Sequence, residues 1–399
     1  MKIGYLVPEF PSQTHIFFWR EVQALRAQGV TVQLISTRRP DPSLCRHEFA
    51  PAAAAETHYL FPPAPWTWGV PPVRPGQLAA AWRYGRALSA AGAKLALRRL
   101  GLFVAAIDLA RYAVAEGLEH IHVHSCADAA HVAALSREVG GPPYSLTLHG
   151  DLTVYGSDHG AKMRGAAFVD AVGTHLLNQI VASTGTPRER VHVTCMGVDL
   201  TRLRALGAER AFAAGALHVV TVARLNAMKG HHHAIAAVRR AVDAGADLRY
   251  TIAGEGEQRA TIETQIRSLR LEDRVQLVGT LAEGEVFRLL STADAFVLPS
   301  IGAGEAWPVS LMEAMGAGLP VISSIIGATP EMVVSGDDGI LVEQGDEGGL
   351  SDALGLLARD VGIRRKMGER ARATAEKRFD VQATAGRLVA AIRDHASAR

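Results

Sequence analysis

Nine short runs rich in β-branched and other apolar residues alternate with Ala-, Leu- and Arg-rich helical stretches, and the alternation restarts near residue 216. KIGYLV, VTVQLIS, HIHVHS and YSLTLHG fall in the first half; LHVVTVA, RYTIAG, RVQLVG, AFVLPS and LPVISS fall in the second. Strands separated by helices pair in parallel, because a long crossover is what returns the chain to the edge where the previous strand began. Two such series predict an α/β chain of two Rossmann-like, doubly wound parallel sheets with an interdomain cleft. A length of 399 residues fits two cores better than one. Hydrophobic residues at 48% and charged residues at 21% suit strands covered on both faces. The stretch DLTRLRALGAERAFAAGA reads as the connection between the sheets. The domains expected are therefore residues 1–205 and 206–380, with 381–399 a C-terminal helix crossing back to the first.

Several classes are disfavoured. A net charge of +2 gives no overall nucleic-acid signal. Cys45, Cys126 and Cys195 are scattered, form no metal or redox motif, and suggest a reducing compartment. The N-terminus MKIGYLVPEF turns straight into a strand-like run, and no apolar stretch has the length of a membrane span. The location expected is the cytoplasm. FPPAPWTWGVPPVRP (61–75) carries six prolines and excludes helix and central strand there. From Val73 to Ile107 the chain holds six Arg and Lys and no Asp or Glu. A helix pair packed on the first domain accounts for this; the functional alternative is a basic face that meets a membrane surface or an anionic acceptor.

The stretch GEAWPVSLME, Gly304–Glu313, holds two glutamates around a helix start. It follows the strand AFVLPS and a glycine-containing loop, and Pro308 suits a first helical position. Free N–H groups at a helix start attract phosphate. Were the stretch helical, Glu305 and Glu313 would stand about 12 Å apart, comparable with a nucleotide sugar from hexose to ribose. A diphosphate at the helix end would leave one carboxylate for the sugar and one for the ribose, since ionised carboxylates accept hydrogen bonds from paired hydroxyls. The structural alternative is a favourable charge near the helix start and a solvated helix residue. In HVVTVARLNAMKGHHHAI, Arg224 and Lys229 follow a strand and can balance phosphate charge. No Asp-x-Asp pair follows a strand to hold a metal. The tract His231–His233 opens a helix, where adjacent positions diverge by about 100° and cannot share one ion. RYTIAGEGEQR offers Gly254, Gly256 and Arg259 but lacks the acidic residue about 20 positions on that a dinucleotide site requires, so a tight turn beside a flat base fits better. In the first half, PYSLTLHGDL sets His149 and Asp151 just past a strand, with His149 able to bond a sugar hydroxyl. His120, His122 and His124 alternate along HIHVHS and read as packing and polar lining. Gln13 and His15 in PEFPSQTH open the first loop towards an acceptor.

Assembled, these stretches resemble glycosyltransferase family 4, the retaining nucleotide-sugar transferases of GT-B fold, over nearly the whole chain. GEAWPVSLMEAMGAGLPVISS is similar to the family's E-x7-E signature, ARLNAMKG to its Arg…Lys phosphate clamp, and GEGEQR to its Gly-x-Gly-x-x-Arg turn. TLHGD resembles its acceptor-domain histidine, MGVDLTRL its pre-hinge segment and SIIGATPEMV the stretch bearing Thr329 and Glu331 near the nucleotide. PEFPSQTHIFFWREVQAL looks most like the exopolysaccharide-forming subgroup. In two places the chain departs from the pattern. PEFPSQT replaces the glycine-rich first loop of many members, leaving no basis there for a backbone contact to the donor. Trp307 stands where a smaller residue is usual, which tightens the sugar pocket.

The resemblance implies a retaining hexosyltransferase that needs no metal or other cofactor. It would move glucose or a near relative from a UDP-sugar to a saccharide or polyprenyl-diphosphate-linked acceptor, with domain closure excluding water. Glu305, His149, Arg224 and Lys229 are the implied catalytic groups. Glu313, Gly254, Gly256, Arg259, Val278, Ala306, Trp307, Pro308, Val309 and Ser310 join Arg224 and Lys229 around the donor; Gln13, His15, His124 and Asp151 face the acceptor. The competing readings are a GT-B-like nucleotide-sugar epimerase or phosphorylase and a non-catalytic nucleotide-sugar-binding protein.

Overall fold

The computed structural model describes residues 1–62, 75–88, 93–207, 215–302 and 305–397. Most of the proline-rich stretch and the middle of the basic run lie outside the described residues, as does Gly304. The chain forms two compact units: Met1–Cys195 with Thr384–Arg399, and Met196–Ala383.

The first unit is built on β1 (Lys2–Glu9), β2 (Thr31–Arg38), β3 (His58–Phe61), β4 (His120–Val123), β5 (Tyr144–Leu148), β6 (Val169–Ala171) and β7 (Val191–Val193). They form one sheet in the order β3-β2-β1-β4-β5-β6-β7, with every pair parallel. The second unit uses β8 (Leu217–Val222), β9 (Leu248–Ala253), β10 (Val275–Gly279), β11 (Ala295–Leu298), β12 (Val321–Ser324) and β13 (Gly339–Val342). Their order is β10-β9-β8-β11-β12-β13, again all parallel. Two doubly wound sheets are thus present as expected. Every residue of β4, β5, β11 and β12 is buried, which is why these strands read as apolar runs rather than alternating ones. The four strands that the sequence did not reveal, β3, β6, β7 and β13, are only three or four residues long. β3, β7 and β13 are edge strands, and β6 carries Asp170.

The histidine strand is explained by register. Parallel pairing sets Tyr5 beside His122 and His122 beside Ser145, then Thr147 beside Asp170 and Asp170 beside His192. His122 is fully buried with Nδ1 2.7 Å from Ser145 Oγ and Nε2 2.9 Å from Thr147 Oγ1, and His120 Nε2 reaches the same serine at 2.7 Å. A buried imidazole is tolerable when its nitrogens are hydrogen-bonded. These rings are spent on the sheet's own hydroxyls, and among the described residues no group of three or more His, Cys, Asp or Glu is placed to hold a metal ion.

The basic run forms the helices Pro75–Arg86 and Ala93–Ala115. The second turns Ala105, Ala106, Leu109 and Ala113 inward. Leu78, Trp82 and Leu100 stay exposed, and Arg86 stacks over the Trp82 ring at 4.6 Å. Among the described residues no helix is long and apolar enough to cross a membrane.

Asp170 is 2% exposed, accepts from Thr194 Oγ1 at 3.3 Å and lies 3.6 Å from His192 Nδ1. Burial pushes its carboxyl up to about 7. A carboxyl that holds its proton more tightly folded than unfolded loses stability as pH rises from its unfolded value near 4 to its folded value. The loss amounts to about 4 kcal/mol, at about 1.4 kcal/mol per tenfold change in proton affinity. Asp170→Asn should abolish this fall, so that the variant's thermal midpoint gains on the parent's between pH 4 and 7 and the variant is the more stable of the two at pH 8. An unaltered pH profile in the variant would contradict this account.

Candidate functional site

Parallel strands all release their chain at one edge, so the loops after β8, β9, β11 and β12 meet at the carboxyl edge of the second unit's sheet. Backbone bonds fasten the first two loops together: Leu225 N donates to Glu255 O and Gln258 N to Leu225 O, both at 2.9 Å. Gly254 makes that approach possible. Its φ is +152°, and a Cβ there would stand 1.8 Å from the Ala223 carbonyl oxygen. The Cβ side of the glycine turn thus packs against the neighbouring loop's own backbone.

Arg224 is exposed in the loop after β8. Its carbonyl accepts from His231 Nε2–H at 2.9 Å, so the first histidine of the triple tract anchors the loop. His233 Nδ1 lies 3.1 Å from Glu347 Oε1, and the tract is structural. Asn226 caps the turn Ala227–Lys229 by accepting from the Lys229 amide at 3.2 Å. Lys229 Nζ then makes an ion pair with Glu305 Oε2, the same oxygen that accepts from Ser300 Oγ at 2.8 Å. One clamp cation and one signature glutamate are thus a single unit, with side chains 19% and 11% exposed.

The loop bearing Glu305 is fixed from below. Gly302 N donates to Gln344 Oε1 at 2.9 Å, Gln344 Nε2 donates to Ile325 O at 3.1 Å, and Ala328 N donates to Ala306 O at 3.0 Å. Gly327, at φ +54°, passes so close that a Cβ would lie 1.9 Å from the Glu305 carbonyl oxygen. The helix that follows runs Val309–Gly316, one residue later than Pro308 suggested. Pro308 is its N-cap, at φ −70° and ψ 114°, because its extended ψ belongs to the incoming loop. Leu311 N and Met312 N donate to Pro308 O, at 3.2 and 3.4 Å, while the amides of Val309 and Ser310 have no intrahelical acceptor. Val309 and Ser310 are half-buried there, while Glu313 is 5% exposed one turn on.

Other expected donor-side residues have different surroundings. Trp307 is 4% exposed, donates its Nε1–H to Met312 Sδ at 3.0 Å and meets the Phe379 ring edge-on, so it packs as core. Ala306 is buried and Val278 half-buried. Arg259 is bracketed by Glu255 at 2.5 Å and Glu263 at 2.9 Å. The Thr329 hydroxyl is used in its own turn, donating to Ser324 O at 2.7 Å. Ser300 and Gln344, which fix the Glu305 loop, carry no sequence signal beyond their nearness to strand ends.

In the first unit the loops after β1, β4 and β5 gather a second cluster. His149 follows β5 and His124 follows β4; their rings stack at 5.3 Å, with His149 Nε2 3.1 Å from His124 Nδ1. Burial, and then the neighbouring histidine, holds His149 well below the usual imidazole range; burial and His15 hold His124 at about 3. His15 Nδ1–H donates to Glu9 O at 2.8 Å, and Gln13 Oε1 accepts from Arg46 N at 2.8 Å, so both shape the first loop. Asp151 accepts from Gln179 Nε2 at 2.9 Å. Glu21, which the sequence reading passed over, joins this cluster from the helix Ile16–Ala27.

Comparison with known proteins gives this arrangement a context. Residues 208–374 match the family described as Glycosyl transferases group 1. The chain is 37% identical over 203 residues to WcaL of Escherichia coli (strain K12), a colanic acid biosynthesis glycosyltransferase by its name, covering 50% of each chain. It is 38% identical over 183 residues to the amylovoran biosynthesis glycosyltransferase AmsK of Erwinia amylovora, covering 44% of each. The chain thus spans about half the length of the curated relatives it matches. In three dimensions it superposes on Anabaena HepE, a structure with UDP bound, at TM-score 0.73 and 17% identity over 99% of this chain and 100% of that one. The fold is GT-B.

Proposed function

With residues 208–374 belonging to the glycosyl transferases group 1 family, we propose that the chain is a retaining, metal-independent hexosyltransferase. It takes glucose, or a near relative, from a UDP-sugar and passes it to a saccharide or polyprenyl-diphosphate-linked acceptor in exopolysaccharide synthesis. The observation that carries this reading is the convergence at one sheet edge of Arg224, the Lys229–Glu305 pair and the open first turn of Val309–Gly316. UDP in the HepE structure and the names of WcaL and AmsK support the donor class and the pathway class.

In this reading the diphosphate lies on the first-turn amides of Val309 and Ser310, with Arg224 and Lys229 as counter-charges. Two fixed cations and a helix start supply what a divalent ion would otherwise give. As the bond between sugar and phosphate breaks, negative charge grows on the leaving diphosphate, and these groups stabilise it without reorganising. The acceptor hydroxyl attacks from the same face, and its proton passes to the departing phosphate, which gives retention. Glu305 holds both Lys229 and the hydroxyls of the donor sugar. Glu313 accepts from the ribose, and His149 offers a ring nitrogen to a sugar hydroxyl. We place the protein in the cytoplasm, held at the inner membrane face by residues 73–107, where exposed Leu78 and Trp82 stand among Arg83 and Arg86.

Calorimetric titration with UDP, beside turnover of the intact donor, tests the division of labour. Arg224→Ala or Lys229→Ala should weaken UDP binding and transfer by about 2 kcal/mol, the scale of a charge-assisted contact. Glu305→Gln should cut turnover yet keep UDP affinity, because UDP has no hexose and Lys229 remains available. Glu313→Gln should weaken UDP by about 1–3 kcal/mol, the cost of a lost charged hydrogen bond. EDTA throughout should change nothing. Equal loss of UDP in Glu305→Gln and Glu313→Gln, or turnover that requires added metal, would contradict the assignment. For the membrane contact, the protein should co-sediment with anionic vesicles more than with neutral ones, and less as salt rises. Equal partitioning would leave only the surface-helix role.

A further inference from the structure

The cluster in the first unit contains a chain of contacts that runs from a carboxylate to His149. Tyr5 is fully buried, and burial together with Glu21 raises its hydroxyl well above the ordinary range, so it stays protonated and donates to Glu21 Oε2 at 2.6 Å. The same oxygen lies 3.1 Å from His124 Nε2, outside hydrogen-bond geometry, so its influence on that nitrogen is electrostatic. His124 Nδ1 lies 3.1 Å from His149 Nε2. His149 Nδ1 is enclosed and has no hydrogen-bond partner among the described residues. Its backbone amide is held by Tyr155 Oη at 2.8 Å, and Phe17 and Phe18 pack against its ring at 5.3 Å each.

Both imidazoles are neutral, so each carries one proton and one bare nitrogen. A carboxylate oxygen 3.1 Å from His124 Nε2 repels a lone pair there, which places that ring's proton on Nε2 and leaves Nδ1 bare. A bare Nδ1 must receive its hydrogen bond from His149 Nε2–H. His149 is then left with a bare, enclosed Nδ1. A buried acceptor without a donor costs about 1–3 kcal/mol, and a hydroxyl is the simplest group that removes that cost. We propose that Glu21 is a positioning residue: acting through His124, it fixes His149 in the tautomer whose Nδ1 accepts a hydrogen bond from a ligand hydroxyl. The proposal rests on the reading of His149 as a sugar-hydroxyl partner and adds the group that sets its polarity. A donor on the ligand is what this tautomer requires, because the opposite tautomer would present an N–H and pair with an acceptor atom instead.

Nitrogen-15 spectra of the full chain with labelled histidine read the tautomers directly. The unsubstituted protein should show His124 and His149 each protonated at Nε2 alone; a proton on His149 Nδ1 would overturn the proposal without any variant. Glu21→Leu keeps the bulk but removes the acceptor, and His149 should then show both tautomers. A pure Nε2–H form surviving in Glu21→Leu would also overturn it. Turnover in that variant should fall about tenfold, the scale of one misdirected hydrogen bond, with UDP affinity unchanged. If the unsubstituted protein does not bind UDP, the transferase reading fails, and the tautomers still decide the role of Glu21.

Discussion

Every strand in both sheets points the same way as its neighbours, and that constraint determines where chemistry is available. A parallel sheet must be covered on both faces, so its core carries little that a ligand can reach. The loops that leave the carboxyl ends are the exception. In the second unit they bring Arg224, Lys229, Glu305 and the start of Val309–Gly316 to one edge. In the first they bring His124, His149 and the first-loop residues His15 and Gln13 to another. The crossover helices and the small residues between them are the means by which these side chains, far apart in sequence, become neighbours.

Loop contacts hold the second unit's edge in place before any ligand arrives. Gly254 lets the loop after β9 lie against Ala223, and Gly327 lets the loop after β12 lie against Glu305. Ser300 and Gln344 fix the Glu305 loop from either side. The Lys229–Glu305 pair is the electrostatic consequence. It keeps a cation at the edge without burying it unpaired, since an uncompensated buried charge is costly. A phosphate that met Lys229 would therefore find its counter-charge already placed, which is the preorganisation that electrostatic catalysis requires.

The longer strands were legible because short runs of apolar and β-branched residues between turn signals leave few alternatives, as in LHVVTVA and RYTIAG. β6 and β7, at three residues each, offered no such run. At the site, the strand–loop–helix unit around Glu305 could be read from glycine and proline placement alone. The pairing of Lys229 with Glu305 could not, because 76 residues separate them and only the sheet order brings them together. Trp307 misled for a related reason: a bulky residue beside a signature suggests a pocket wall, and only its contacts with Met312 and Phe379 identify it as core. Glu21 sits mid-helix and looks like an ordinary solvated acid until its partners on β1 and beyond β4 are known.

Amide hydrogen exchange of the full chain with and without UDP tests whether the carboxyl edge of the second sheet receives a nucleoside diphosphate, because each loop reports separately. UDP bound at that edge should slow exchange in three places: the loop from Arg224 to Gly230, the turn from Gly254 to Arg259, and the first turn after Pro308. Exchange unchanged in all three, or slowed only in regions away from that edge, would contradict it.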